Sequence, residues 1–250
     1  MTTTIDTLLA QAEQGDLDAQ FNVAVLLAKA DKKQQKKAFA MALKAAKSGL
    51  PKAQGLIGQF YQQGTGVKAN GEKAIEWYRK AAEADDAIAL EHLGMAALYG
   101  LGMEKNYTLA ADFNQRAMAQ GSLAATNNYA LQLRAGWGME QDLARAYQLY
   151  EQLEPQQHPA TLYNLALFAL EGYPHGRNAT RAVELLKRAS EAGSDAATYK
   201  LAEIFYEGID EIEADKAQAR QYLEQTLHCR TRAFQQLAKD DLKEWADSEK

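Results

Sequence analysis

The sequence predicts an all-α fold, a right-handed α-solenoid of stacked helix-turn-helix repeats. Small residues recur every thirty-six positions, at Ala53, Ala89, Ala125, Thr161, Ala197 and Ala233. A second series, Gly58, Gly94, Ala130, Ala166, Ala202 and Ala238, follows five residues later. A fixed period in this range means supersecondary units that cannot bury their apolar faces alone and so stack on one another. Only 4 of the 250 residues are proline, and abundant alanine with few β-branched residues makes the units helical.

The elements follow in order. Residues 4–14 read as an N-terminal capping helix, the unpaired second half of a repeat. Six repeats occupy 17–228, residues 230–247 read as a C-terminal capping helix, and the whole chain, 1–250, as a single repeat domain. In the first repeat, Ala19 to Ala46, the turn is two residues shorter than elsewhere, and Ala30, Asp31, Lys32 and Lys33 stand where later repeats carry glycine. The second is the clearest. Its first helix starts near Ala53, Gly64 and Gly66 punctuate the turn, and Ala74, Trp77, Tyr78, Ala81 and Ala82 form the apolar stripe of an amphipathic second helix. The third keeps Leu93, Gly94, Gly100, Gly102, Ala110, Phe113 and Ala117. The fourth keeps Gly136, Trp137, Gly138, Ala146 and Tyr150, and the fifth Leu165, Ala166, Gly172, Ala182, Leu185 and Ala189. In the sixth, an acidic turn from Gly208 to Glu213 precedes a stripe, Ala219, Tyr222, Leu223 and Leu227, that has slipped out of register. Gly15, Gly49, Gly121 and Gly193 end second helices, whereas Asp85, Gln157 and Cys229 hold the same place without glycine. Pro51 and Pro159 open first helices, where a missing N–H costs nothing.

This pattern resembles the Sel-one-like repeat family, relatives of the tetratricopeptide repeats, whose units run small residue, Leu-Gly, aromatic, Gly-x-Gly-Val, Lys-Ala, Trp-Tyr and Ala-Ala. Matching positions run from about residue 4 to 247. The resemblance implies a non-catalytic protein-protein interaction scaffold or adaptor, bacterial by family precedent, that holds a protein or peptide in a concave wall of first helices. Two alternatives accompany it: an immunity-type inhibitor that binds and blocks a toxin, and a hydrolase built on the same repeats.

Charge and composition bound the partners. A net charge of −5 argues against a dedicated nucleic-acid binder. The start of the sequence has no basic leader followed by an apolar run, and no stretch is apolar enough to span a membrane. One cysteine, Cys229, allows no internal disulfide; a cytoplasmic protein, monomeric or weakly self-associating, is expected. The charge is uneven. Lys29, Lys32, Lys33, Lys36, Lys37, Lys44, Lys47 and Lys52 crowd the N-terminal part. Glu203, Glu207, Asp210, Glu211, Glu213, Asp215, Asp240, Asp241, Glu244 and Asp247 crowd the C-terminal part.

No catalytic, metal or cofactor site is expected. Gly64-x-Gly66 and Gly100-x-Gly102 have no preceding strand and no following Lys-Ser/Thr, so they read as turns rather than phosphate loops. His92, His158, His175 and His228 lack the spacing of a metal site. No Gly-x-Ser-x-Gly elbow occurs.

Candidate partner contacts come from helical phase. Three residues on from each phase-setting small residue lies the ladder Asn22, Leu56, His92, Asn128, Asn164, Lys200 and Gln236. One turn further lies Val25, Gln59, Met95, Leu131, Leu167, Glu203 and Lys239. From these the expected partner-binding set is Gln59, His92, Met95, Asn128, Leu131, Asn164, Leu167, Lys200 and Glu203, extended towards the turns by Leu98, Tyr99, Arg134 and Glu207. Trp137, between two turn glycines, is added as an exposed anchor, with packing into the neighbouring repeat as the alternative. Trp77 and Trp245 lie on apolar stripes and are expected in the core.

Overall fold

The computed structural model describes residues 5–248, with side chains over 6–245; residue 4 of the expected first cap and the side chain of Asp247 lie outside the described residues. Two compact units result, Met1–Gln141 and Asp142–Lys250. The first holds α1 (Ile5–Glu13), α2 (Leu17–Leu27), α3 (Lys32–Lys47), α4 (Pro51–Gln63), α5 (Gly71–Ala82), α6 (Ala87–Tyr99), α7 (Tyr107–Ala119) and α8 (Leu123–Ala135). The second holds α9 (Leu143–Leu153), α10 (Pro159–Glu171), α11 (Ala179–Glu191), α12 (Asp195–Glu207), α13 (Lys216–Leu227) and α14 (Arg232–Ser248). Among the described residues there is no strand beyond an isolated bridge between Ile209 and Ile212. Within each unit every helix packs on the next.

The thirty-six-residue period is a packing period. Ala53, Ala89 and Ala125 are fully buried, as are Thr161 and Ala197 in the second unit, so this phase lies inside the helix seams. Five residues on, small side chains make room for a second-helix residue. A Cβ at Gly58 would lie 2.5 Å from the ring of Tyr78, and one at Gly94 would collide with the amide of Asn114. Tyr78, Leu90, Leu93 and Phe113 fill the space between these seams.

Helix starts repeat with the same period. Asn70 and Asn106 in the first unit, and Asp142, Asn178 and Asp215 in the second, each accept a backbone N–H three residues on and so cap a second helix. Each such cap contributes about 1 kcal/mol. Asp16, Asp86, Ser122 and Ser194 cap first helices likewise. Leu50 and His158 make no side-chain cap, and there proline follows. Two of the glycine-free joints are solved by arginine. Asp85 and Gln157 both adopt φ +53°. Arg116 donates from Nε and Nη2 to Asp85 Oδ1, at 3.0 and 2.8 Å, and from Nη2 to the Ala82 carbonyl at 2.6 Å. Arg188 donates to Gln157 Oε1 at 3.1 Å and to Glu154 Oε1 at 2.8 Å.

The turn glycines divide their work. Gly136 ends α8 at φ +69°, and Gly138, at φ +79°, lies against the peptide joining Tyr107 to Thr108, so closely that any Cβ would collide with it. Gly66 meets Gln35 in the same way, and a Cβ at Gly102 would press on the Gly71 backbone at 3.0 Å. The slipped sixth repeat has a local cause. From Gly208 to the cap Asp215 the turn holds one residue more than from Gly172 to Asn178, and reciprocal backbone bonds of 2.9 and 2.8 Å between Ile209 and Ile212 accommodate it.

Candidate partner-binding surface

In the first unit the sequence-derived residues fall on α4, α6 and α8. Gln59, His92, Met95, Asn128, Leu131 and Arg134 are half-buried. The amide of Gln59 lies 3.4 Å from His92 Nε2. An amide nitrogen only donates, so in this orientation Nε2 accepts and the ring proton sits on Nδ1. That Nδ1 is buried and has no hydrogen-bond partner among the described residues. The imidazole stacks on Tyr78 with ring centroids 4.7 Å apart, and the Tyr78 hydroxyl donates to Gln62 Oε1 at 2.7 Å. Burial holds the His92 pKa below its ordinary 6.5, with Glu91 opposing the shift, so the ring favours the neutral form. A cavity of about 290 Å³ opens beside this group, walled by Ile75, Tyr78, His92, Met95 and Leu101. Its walls suit an apolar side chain.

Tyr99 and Leu101 are exposed, at 52% and 54%. Leu98 is not available: at 1% exposure it packs with Ala97 and Ala110, which removes it from the expected face. The ladder member Leu56 likewise joins the core. Trp137 combines both roles open to it. One face stacks on Tyr107, centroids 5.3 Å apart, while 36% of the residue stays accessible. Its carbonyl accepts from Gln132 Nε2 at 3.2 Å; the same amide donates to the Tyr107 carbonyl at 2.9 Å, and Asn114 Nδ2 donates to Gln132 Oε1 at 2.7 Å. A buried amide pair thus fixes the turn that presents the indole.

In the second unit Leu167, Lys200 and Glu203 are half-buried, and Lys200 pairs with Glu203 at 2.9 Å. Asn164 is 8% exposed and donates to the Ala160 carbonyl of its own helix at 2.9 Å, so its amide serves α10. Sequence reasoning missed the residues around Glu203. Tyr199 and Tyr206, two helical turns apart on α12, face Asp241 and Trp245 on α14. The Tyr199 hydroxyl donates to Asp241 Oδ2 at 2.7 Å, and Tyr206 stacks on Trp245 at 3.8 Å, so Trp245 borders a cavity and is half-buried. The signal was present as paired aromatics at i and i+7 beside acids.

Six successive segments, residues 17–50, 51–86, 87–122, 123–153, 159–194 and 195–226, match the Sel1 repeat family model. The chain belongs to the Sel1 repeat family. Its fold class is the α-solenoid of helix-turn-helix repeats, as expected. The crystal structure of a Sel1 repeat protein from Oxalobacter formigenes superimposes with a TM-score of 0.75 at 27% identity, covering 90% of this chain and 97% of that one. An immunity protein of Pseudomonas aeruginosa, at 20% identity over 90% of this chain and 83% of its own, shares the fold with a TM-score of 0.51. Over 61 residues the chain is 48% identical to a chitin synthase regulator, SKT5, of Saccharomyces cerevisiae; the match spans 24% of this Sel1 repeat protein and 9% of that relative. Sel1 repeat proteins generally mediate protein–protein interaction. No helix among the described residues is long and apolar enough to cross a membrane.

Proposed function

We propose that this Sel1 repeat protein is a non-catalytic adaptor that grips a partner protein on its first helices, with Gln59, His92, Met95, Asn128 and Leu131 as the central contacts in the first unit. The observation that carries this reading is the cavity beside His92, whose largely apolar walls offer room for an incoming side chain. Tyr99, Arg134 and Trp137 extend the contact in the same unit; Leu167, Lys200 and Glu203 supply it in the second. A cytoplasmic setting belongs to the reading, supported by the single cysteine. A few central anchors of this kind carry about 2 kcal/mol each in a protein interface.

The test is site-specific photocrosslinking in the native host. A benzophenone side chain at Met95 or Leu131 is expected to give one discrete protein adduct, and the same group at Glu76, on the exposed face of α5, is expected to give none. The adduct should vanish in a Gln59→Ala, His92→Ala variant of unchanged thermal stability. Identical adducts from both faces, or none from Met95 and Leu131, would overturn the assignment.

A further inference from the structure

The acidic character of the C-terminal part is not spread evenly over the fold. Asp210 pairs with Arg177 at 3.0 Å, Glu211 accepts the backbone N–H and hydroxyl of Thr180, and Asp215 caps α13. These carboxylates are engaged in holding turns and helix ends. Glu203, Glu207, Asp241 and Glu244 instead border one cavity of about 260 Å³ between α12 and α14. Aromatic rings complete its wall, with Tyr206 and Trp245 stacked at 3.8 Å and Tyr199 bonded to Asp241. Lys200 pairs with Glu203 at 2.9 Å.

We propose that this cavity receives the cationic side chain, lysine or arginine, of a protein partner. Ring faces attract an ammonium or guanidinium group, and an excess of carboxylates around them lowers its cost of leaving water. The Tyr206 ring already attracts one cation from outside the cavity lining, for Lys216 Nζ lies 5.4 Å from its centre. A metal ion fits less well, because among the described residues no three His, Cys, Asp or Glu side chains come together as a ligand set. The carboxylates line the cavity without converging as a metal-ligand set, which suits an extended cation. Anionic partners are repelled. This inference rests on the protein-binding reading and adds the chemistry of what the second unit would hold.

The probe is acetylated, amidated tetralysine, titrated into the full chain labelled with ¹⁵N at low salt. The chain has 3 tryptophans, and a Trp245→Phe variant assigns the indole signal of interest. Tetralysine is expected to shift the Trp245 indole saturably, and acetylated tetraglutamine is expected not to. A Glu207→Gln, Asp241→Asn variant should weaken binding at least tenfold. A Glu213→Gln, Glu224→Gln variant, which removes the same charge from exposed positions off the cavity, should stay within twofold. Glu207→Gln alone, at an exposed residue, gives an intermediate loss even where the double variant does not fold. Equal weakening by both pairs, absence of a saturable shift, or tighter binding of spermidine than of tetralysine would overturn the proposal. Failure here with Met95 and Leu131 adducts intact would remove this inference and leave the adaptor reading standing.

Discussion

Replacing Gly138 by alanine separates the two demands that a turn glycine meets. Gly121 and Gly138 lie in the same unit at φ +85° and +79°, so an alanine at either pays the left-handed backbone cost of about 1–2 kcal/mol. At Gly121 nothing lies within 4 Å of the added Cβ, and the cost ends there. At Gly138 the Cβ falls on the peptide between Tyr107 and Thr108, at the start of α7. That peptide is anchored: Asn106 caps the helix and Gln132 donates to the Tyr107 carbonyl at 2.9 Å. Moving it leaves a polar group unpaired, which costs about 1–3 kcal/mol more. Gly121→Ala is therefore expected to destabilise by about 1–2 kcal/mol and Gly138→Ala by about 2–5 kcal/mol. Urea unfolding followed by far-ultraviolet circular dichroism, with hydrogen exchange at α7 to localise the effect, measures the difference. Equal losses for the two variants would refute the claim that close backbone approach, beyond backbone conformation, holds this turn to the preceding repeat.

Three further outcomes follow from the same contacts. Gln132→Leu strands the Asn114 amide and two carbonyls, and should cost about 2–4 kcal/mol in thermal unfolding; a loss under about 1 kcal/mol would mean the network is dispensable. Because burial lowers the His92 pKa in the folded state, the unfolded chain takes up the proton first as pH falls below 6.5, so stability should drop through that range and then level off below the folded pKa. His92→Gln should flatten that part of the stability profile, and an NMR titration midpoint for His92 at or above 6.5 would contradict the shift. Arg116→Met should speed amide exchange at the joint around Asp85, but much less so in an Asp85→Gly background, where the positive φ no longer needs holding.

The fold was legible because its period is written in residues whose size is dictated by contact. Alanine at 53, 89 and 125 and glycine at 58 and 94 are the cheapest reports of a helix seam that a sequence can give. The helix caps Asn70, Asn106, Asp142 and Asn178 recur with the same period and were equally readable. The candidate site was readable only in part. Counting by phase places Gln59, His92 and Met95 together, yet the same count picks Leu56 and Asn164, because a helical face has no sharp edge and a neighbour decides which side of it is covered. Tyr78, which carries His92, comes from a second helix that phase counting on first helices ignores. The cluster around Trp245 depends on α14 lying beside α12, a contact between residues some forty positions apart.

The arginine clamps at Asp85 and Gln157 bear on modularity. A joint closed by glycine, such as Gly49, Gly121 or Gly193, adopts its positive φ without an arginine clamp from the second helix of the repeat that follows, so a unit could be excised or duplicated there with its joint intact. A joint closed by Arg116 or Arg188 borrows its closure from the second helix of the next repeat. Deleting that helix leaves Asp85 or Gln157 in a left-handed conformation without its arginine clamp. Repeats two and three, and repeats four and five, are thereby tied as inheritable pairs, and shortened arrays cut at the glycine joints should survive where cuts at Asp85 or Gln157 do not.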